Sequence, residues 1–483
     1  MSLSPALAEI TLFVTVPVTL LRRFHAMMRD RETEPCWHAD MMDIPGLLKH
    51  GVSFHLSGER KDYGTIRPKR TQQTSETEGR HRRQRPRRKG IGMKLSQALS
   101  PSHMTVLIVG GGIGGLATAL ALQRQGIRSL VFERTQQFRE VGSGLVLAGN
   151  AVKALDKLGL ADVLQTIAAP LLFSRLRSWR GEVLMEIPML EAMRRFRASA
   201  VAVHRAELHA ALMQALEKES IHMNMQGVSF EQDEKGVRVW FASGEEVQAD
   251  VLVGADGLHS LVRSQLVGAT KPRYAGYTAW RGVTFFSRNQ REEQTTFETW
   301  GAGKRFGFIP LSQGRVCWFA VATALEGEHE EETREKRKVL DLVSSCHEPA
   351  QAVVEATEAS AILRTDIYDR PPLSSWSQGC VTLVGDAAHP MTPNLGQGAC
   401  QAIEDAFILA ESLKSAPTIA SALQRYETRR IKRANILVQR SRRLGQIAHW
   451  EHPWLVNMRD TLLRMTPRRV LLKQIEWVVD NQI

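Results

Sequence analysis

The sequence predicts an α/β protein: a parallel-sheet unit first, an antiparallel sheet after it, and a helical C-terminal end. Three stretches carry this expectation. Thr105–Phe132 reads as strand, glycine-rich turn, helix and strand. Residues 274–323 are rich in aromatic and β-branched side chains and poor in helix signals. The chain after Glu427 is basic and amphipathic, which suits surface helices.

The 483 residues, 43% of them apolar, allow two or three domains and a sizeable core. The first 103 residues stand apart. Arg80–Lys89 (RHRRQRPRRK) has almost no apolar side chains to offset the entropy of ordering. This segment reads as a disordered extension or as an upstream stretch included by a wrong start codon, with Met93 and Met104 as alternative starts. Its other reading is a basic arm for nucleic acid or anionic membrane. Residues 60–94 hold 13 Lys/Arg against 3 Asp/Glu, so they carry most of the formal net charge of +12. Residues 95–483 carry about +4, too little for a nucleic-acid reading of the main body. The best apolar run, Thr11–Leu21, contains Pro17 and is too short to span a bilayer. The five cysteines are odd in number and form no CxxC pair, which argues against a disulfide framework or a zinc site. The chain therefore reads as soluble and cytoplasmic, with no metal and no repeat at 20–50 residues.

From Thr105 the elements follow in order. Thr105–Val109 (TVLIV) suits a buried parallel strand. Gly110-x-Gly112-x-x-Gly115 then opens a helix that Gly126 closes. Ser129–Phe132 is the second strand, and Glu133 ends it. The spacing points to a dinucleotide. Gly110 permits the tight turn, Gly112 lets backbone N–H groups reach a pyrophosphate, and Gly115 lets the helix pack closely on the strand. The helix N-terminus favours the phosphates, and a carboxylate at Glu133 can accept from both ribose hydroxyls. A helix is expected over Leu208–Lys218, and strands over Val237–Phe241, Val251–Val253 and Val381–Val384. Helix Gln401–Ser412 follows.

Two further motifs carry candidate chemistry. In Gly254–Arg263 (GADGLHSLVR), Asp256 ends a strand where a cofactor would pass; its alternative is a helix-capping Asp. In Gly385–Asp405 (GDAAHPMTPNLGQGACQAIED), Asp386 is placed to bind a ribitol or ribose hydroxyl. Gly396-Gln397-Gly398 opens a helix whose positive end could stabilise negative charge on a bound cofactor. His389 reads as a structural turn histidine.

Together these motifs resemble the single-component flavoprotein monooxygenases, the family of salicylate, 3-hydroxybenzoate and urate hydroxylases and zeaxanthin epoxidase. The resemblance covers about residues 104–470 and includes Val203–Leu208 (VHRAEL). It implies a doubly wound, Rossmann-like FAD-binding domain with an inserted antiparallel β-sheet substrate domain and C-terminal helices. The implied layout is FAD-binding over 104–175, 199–275 and 364–426, substrate-domain segments over 176–198 and 276–363, and C-terminal helices over 427–483. The implied chemistry is reduction of FAD by NAD(P)H, then hydroxylation of an aromatic ring or epoxidation of an alkene by a flavin C4a-hydroperoxide formed from O2. The small-molecule substrate is aromatic or unsaturated. Carried over, Gly110, Gly112, Gly115, Glu133 and its neighbour Arg134 bind the cofactor with Arg205. Asp256 sits near the pyrophosphate and Asp386 at the ribityl chain. Gly396, Gln397, Gly398, Ala399 and Cys400 pack against the isoalloxazine. The substrate arginine of urate hydroxylase falls on Arg305, the candidate catalytic residue, expected to orient an acidic or phenolic substrate; its alternative is a surface strand arginine. Arg281 and Trp280 rank below it. The urate enzyme's catalytic tyrosine falls on Cys317 and its substrate asparagine on Ala279, so a less polar ring or alkene is expected. A non-oxygenating FAD oxidoreductase remains the alternative within the same fold; no WxWxIP halogenase stretch occurs.

Overall fold

The computed structural model describes residues 104–138, 143–197, 199–287, 292–328 and 330–479. The basic stretch and the Thr11–Leu21 run lie outside them.

The first strand, Thr105–Val109, is apolar on both faces because both are covered. It is central in a five-stranded parallel sheet, in the order Val381–Leu383, Val251–Gly254, Thr105–Val109, Arg128–Phe132 and Ile221–His222. Helix Ile113–Arg124 is nearly apolar all round and buried along most of its length. Such a helix needs cover on two sides. The sheet supplies one, and helix Gly398–Ser415 the other. A three-stranded antiparallel sheet, Gly227–Asp233, Gly236–Phe241 and Glu246–Ala249, extends this unit.

The antiparallel region is a seven-stranded sheet. Its order is Leu363–Asp369, Arg273–Phe285, Arg315–Thr323, Lys304–Pro310, Thr295–Trp300, Phe173–Ser178 and Val183–Ile187. All its pairs are antiparallel except Thr295–Trp300 with Phe173–Ser178. Two strands thus come from early in the chain, and the last runs on to Asp369. Side chains alternate between the faces. One face buries Trp280, Phe306, Phe308 and Trp318 against helices Glu332–Val343 and Ala350–Glu355. The indole nitrogens are satisfied there: Trp280 Nε1 donates to Glu335 (2.6 Å) and Trp318 Nε1 to Thr357 (2.8 Å). The opposite face carries Ala279, Arg281, Cys317, Phe319, Val321 and Arg305, brought together by the pairs Ala279–Val321, Arg281–Phe319 and Arg305–Val321.

The expected helix over Leu208–Lys218 starts earlier, at Arg205, directly after strand Val201–His204, and ends at Gln214. Lys218–Ser220 is a separate 3-10 turn. The C-terminal region is helical as expected: Ile419–Ala448, Pro453–Arg464 and Arg468–Val479. Thr418 and Ser421 cap the first of these reciprocally. Among the described residues, no helix is long and apolar enough to cross a membrane.

Candidate active site

The three motifs meet at the C-terminal ends of three adjacent strands, where open α/β sheets bind ligands. Gly110 has φ +108°, and a Cβ there would lie 2.4 Å from the Ala255 carbonyl oxygen. A Cβ on Gly115 would lie 1.9 Å from the Gly110 carbonyl oxygen. The first motif therefore packs against itself and the second. Gly114 meets Ala402 in the same way, at 3.3 Å, and brings the two long helices side by side. Gly112, Gly257, Gly396 and Gly398 face open space: a Cβ on any of them would meet nothing within 4 Å. Helices Ile113–Arg124 and Gly398–Ser415 both begin without a side-chain cap. Their free N–H groups and dipoles suit negative charge.

The polar residues fall into two groups. Glu133, Arg134, Arg205 and Asp386 keep free capacity. Glu133 accepts from the Gly111 N–H (2.7 Å) with one oxygen and from the Thr135 N–H (3.0 Å) with the other. A carboxylate retains lone pairs beyond these. Arg134 is exposed beside it. Asp386 is the one exposed residue in buried Val381–Pro390. Desolvation nevertheless raises its carboxyl above the ordinary value, opposed by His389 and Arg205. A group that water reaches while protein surrounds it lines a deep cleft. These features fit FAD: an open glycine cradle, two uncapped helix ends, an acid at the second strand's end and another deep in the cleft.

The second group is spent on the scaffold. Asp256 accepts from the Ser260 hydroxyl and from the Leu261 and Val262 N–H groups, at 2.7 and 3.2 Å. It satisfies the first two N–H groups of helix Leu261–Val267, while Ser260 is the N-cap and accepts from the Arg263 N–H, so Asp256 supports the cap rather than forming it. Arg263 of that motif is buried and donates to the Ala387 and Ala388 carbonyls, both at 3.0 Å, so it locks the second motif to the third. His389 binds Asp405 through Nε2 at 2.6 Å in a fully buried contact, in keeping with a structural role. Burial pushes the Asp405 carboxyl up, but the charges of His389 and Arg430 and the bonds from His389 and Gly385 outweigh it and hold it at about 2. Gln397 accepts from Asn150 (3.1 Å) and Gln401 (3.2 Å). Cys400 is buried, and burial pushes its thiol up to about 12, which excludes a thiolate role.

Arg305 is not a surface arginine: it is 4% exposed. Its Nε pairs with Glu298 at 2.6 Å and its Nη1 donates to Asn394 Oδ1. Asn394 Nδ2 reaches Tyr277 Oη, Thr392 Oγ1 and the Ser441 carbonyl, at 2.8, 2.9 and 2.8 Å. Asn394 lies just before Gly396, so this network joins the seven-stranded sheet, the glycine loop and the long helix. Trp280 lies on the opposite, helix-covered face and is removed from the candidates, because alternation sends it away from Arg281. Sequence reasoning missed Arg430, Gly445 and His209. His209 Nε2 donates to the Gly111 carbonyl at 2.8 Å and buttresses the first turn. A Cβ on Gly445 would lie 2.5 Å from Asn394 Nδ2. A bare Gly within a helical pattern was the one signal that could have flagged it. Among the described residues, Cys317, Cys346, Cys380 and Cys400 are free thiols, and no cluster of His, Cys, Asp or Glu is placed to hold a metal ion.

A parallel sheet with a glycine cradle at its strand ends and an antiparallel sheet alongside defines a dinucleotide-binding class of proteins. Residues 103–441 match the family described as FAD binding domain. The chain is 42% identical over 364 residues to the aurachin C monooxygenase/isomerase of Stigmatella aurantiaca, covering 75% of this chain and 94% of that protein. It is 35% identical over 370 residues to a 2-heptyl-3-hydroxy-4(1H)-quinolone synthase of Pseudomonas aeruginosa, covering 75% and 94%. A Klebsiella pneumoniae protein solved with FAD and uric acid superposes with a TM-score of 0.74 at 29% identity, covering 79% of this chain and 98% of that one. The chain belongs to the FAD-binding-domain family of FAD-dependent monooxygenases.

Proposed function

We propose that this monooxygenase uses NAD(P)H and dioxygen to hydroxylate an apolar, oxygen-bearing aromatic ring of the alkylquinolone type. The observation that carries this is the site-facing side of the seven-stranded sheet. Ala279, Cys317 and Val321 there are buried and apolar, and the aromatic Phe319 lies over Gly307, whose Cβ would sit 2.1 Å from the ring. Cys317 offers no hydroxyl: its Sγ accepts from the Gly144 N–H at 3.0 Å, and burial pushes the thiol up to about 11. A face whose polar groups are confined to Arg281 and Arg305 leaves most of urate's ring amides without the bonds they make to water, at roughly 1–3 kcal/mol per unpaired group. It suits a ring carrying an alkyl chain. Two relatives support this reading through their names: aurachin C monooxygenase/isomerase and the alkylquinolone synthase.

FAD, when bound, would supply the redox chemistry, carrying two electrons from NAD(P)H to dioxygen so that one oxygen atom enters the ring and the other leaves as water. The protein binds, orients and excludes water. Gly112, with open space over it, would admit the pyrophosphate to the first helix N-terminus, while Gly110 and Gly115 close the turn beneath it. Glu133 and Arg134 take the adenosine ribose, and Arg205 and Asp386 take the ribityl chain. Asp256 contributes indirectly, by fixing the backbone beside Gly110. Residues Gly396–Cys400 present backbone and a helix dipole to the flavin, where the dipole favours negative charge. Arg305 fixes the glycine loop against the substrate sheet through Asn394 and so sets where the ring lies. The expected division shifts by a few residues to follow the sheets: strands Phe173–Ser178, Arg273–Phe285 and Leu363–Asp369 belong whole to the seven-stranded sheet, so 173–198 and 273–369 form the substrate part and the flanking segments through 426 the FAD-binding part. The test is turnover of the purified flavoprotein on alkylquinolones, urate and salicylate. Substrate-stimulated NAD(P)H oxidation with an alkylquinolone and not with urate is expected. Coupled hydroxylation of urate alone would refute the substrate class.

A further inference from the structure

The site-facing side of the seven-stranded sheet holds one charge that the protein does not answer. Arg281 stands on strand Arg273–Phe285, with Ala279 and Val283 as its neighbours on the same face. Cys317, paired with Val283, touches Gly144 through its thiol. Strand Gly144–Leu147 in turn reaches the start of helix Gly398–Ser415, where Cys400 Sγ lies 3.7 Å from the Val146 carbonyl. Arg281 therefore sits on the side of the sheet that looks toward the glycine loop. It is half-buried. Among the described residues, its guanidinium makes no ion pair and no hydrogen bond. The contrast with its neighbour is direct, since Arg305 is neutralised by Glu298 and engaged by Asn394.

An arginine in this position is costly. Burial lowers its pKa from the ordinary value, and the one nearby group opposing that is Cys317, itself a buried neutral thiol. A desolvated cation beside apolar side chains gains when an anionic or strongly accepting oxygen enters. Its planar fork suits a ring oxygen approached in the plane of the ring.

We infer that Arg281, on the face between Cys317 and Phe319, anchors an anionic or strongly accepting ring oxygen of the substrate and selects rings that carry one. This rests on the proposed reading of an oxygen-bearing aromatic substrate. The anchor holds the ring by its oxygen and leaves the adjacent carbon facing the cofactor cleft. Arg305 then keeps the loop in place, and Arg281 reads the substrate.

The test uses the full-length flavoprotein and the variants Arg281→Gln and Arg281→Lys. Because Arg281 has no protein partner to lose, its removal leaves the fold and FAD content intact. Benzoate, as an aromatic anion, is titrated by its perturbation of the flavin spectrum. 2-Heptyl-4(1H)-quinolone and its O-methyl ether are compared as substrates, chosen by analogy with the 3-hydroxylated product for which the Pseudomonas aeruginosa relative is named. Arg281→Gln should weaken benzoate binding and raise KM for the quinolone about 10- to 100-fold, the usual range for a lost charged hydrogen bond. Arg281→Lys should recover part of that loss. Binding of the O-methyl ether should change far less than that of the quinolone. If Arg281→Gln binds benzoate and the quinolone as well as the parent does, the anchor is refuted, while quinolone turnover by the parent still upholds the substrate class. If the parent binds benzoate through Arg281 yet turns over no quinolone, the anchor stands and the substrate class falls.

Discussion

Replacing Arg430 by Met removes the charge on which the third motif is built. Arg430 is 2% exposed, and Glu404 and Asp405 are fully buried. Its Nε bonds Asp405 at 2.7 Å, Nη1 bonds Glu404, and Nη2 bonds Gln401 Oε1 at 2.7 Å. Met keeps much of the volume and none of the charge. Asp405 would retain His389 and the Gly385 N–H, and Glu404 would retain Arg433 at 3.3 Å. The two carboxylates are thus left partly rather than wholly uncompensated. Breaking a buried ion pair from one side costs about 3–5 kcal/mol. Against a typical stability of roughly 5–15 kcal/mol, that is a large fraction. The damage should reach the cofactor first, because Asp405 holds the Gly385 N–H directly before Asp386. Urea unfolding, followed in parallel by circular dichroism and by the fluorescence of released FAD, checks this. Arg430→Met should unfold at much lower urea and release FAD before the fold is lost. Arg430→Lys should recover only part, since an ammonium cannot span both carboxylates with a fork. If Arg430→Met lies within about 0.5 kcal/mol of the parent, as substitutions away from such networks do, and keeps its FAD, the reasoning is wrong.

Gly115→Ala places a methyl 1.9 Å from the Gly110 carbonyl oxygen and must push the helix off the strand. A loss of about 1–3 kcal/mol and of FAD retention is expected, read by thermal melting and the visible spectrum. Arg305→Ala should keep FAD yet lower coupled turnover by about tenfold, an effect of roughly 1.4 kcal/mol; unchanged turnover on the true substrate would remove its positioning role. Asp405 is held at about 2 against an ordinary 3.8, so its folded-state pKa is depressed. The stability it contributes is therefore present above pH 3.8 and is lost as pH falls toward about 2. Acid-induced FAD release should be shallower over that window in Asp405→Asn, although that variant starts from a lower stability.

The cofactor half was legible because its signals are local. A glycine that must admit a backbone, an acid at a strand end and an apolar run all lie within a few tens of residues. What stayed hidden depends on partners distant in the chain. Nothing near Arg430 reveals that it meets Glu404 and Asp405, and nothing near Arg263 reveals that it donates to Ala387 and Ala388. Asp256 looked the same as a ligand and as a cap, because both roles put a carboxylate at a strand-to-helix turn. In the seven-stranded sheet, alternation separates Trp280 from Arg281 at once, but does not show which face is covered by helices. That is settled by helices Glu332–Val343 and Ala350–Glu355, which follow in the chain. The polar losses at Ala279 and Cys317 were legible. The unanswered charge at Arg281 was not, because it depends on the absence of a partner.

The most direct test of the central claim is single-turnover chemistry with isotopically heavy dioxygen. The purified yellow protein is reduced by NAD(P)H and mixed with the labelled gas and an aromatic substrate. The account predicts one labelled oxygen atom in the product for each NAD(P)H consumed, with the flavin spectrum restored. A protein that stays colourless with added FAD, or one that sends all the label to hydrogen peroxide and leaves every substrate unchanged, would contradict it.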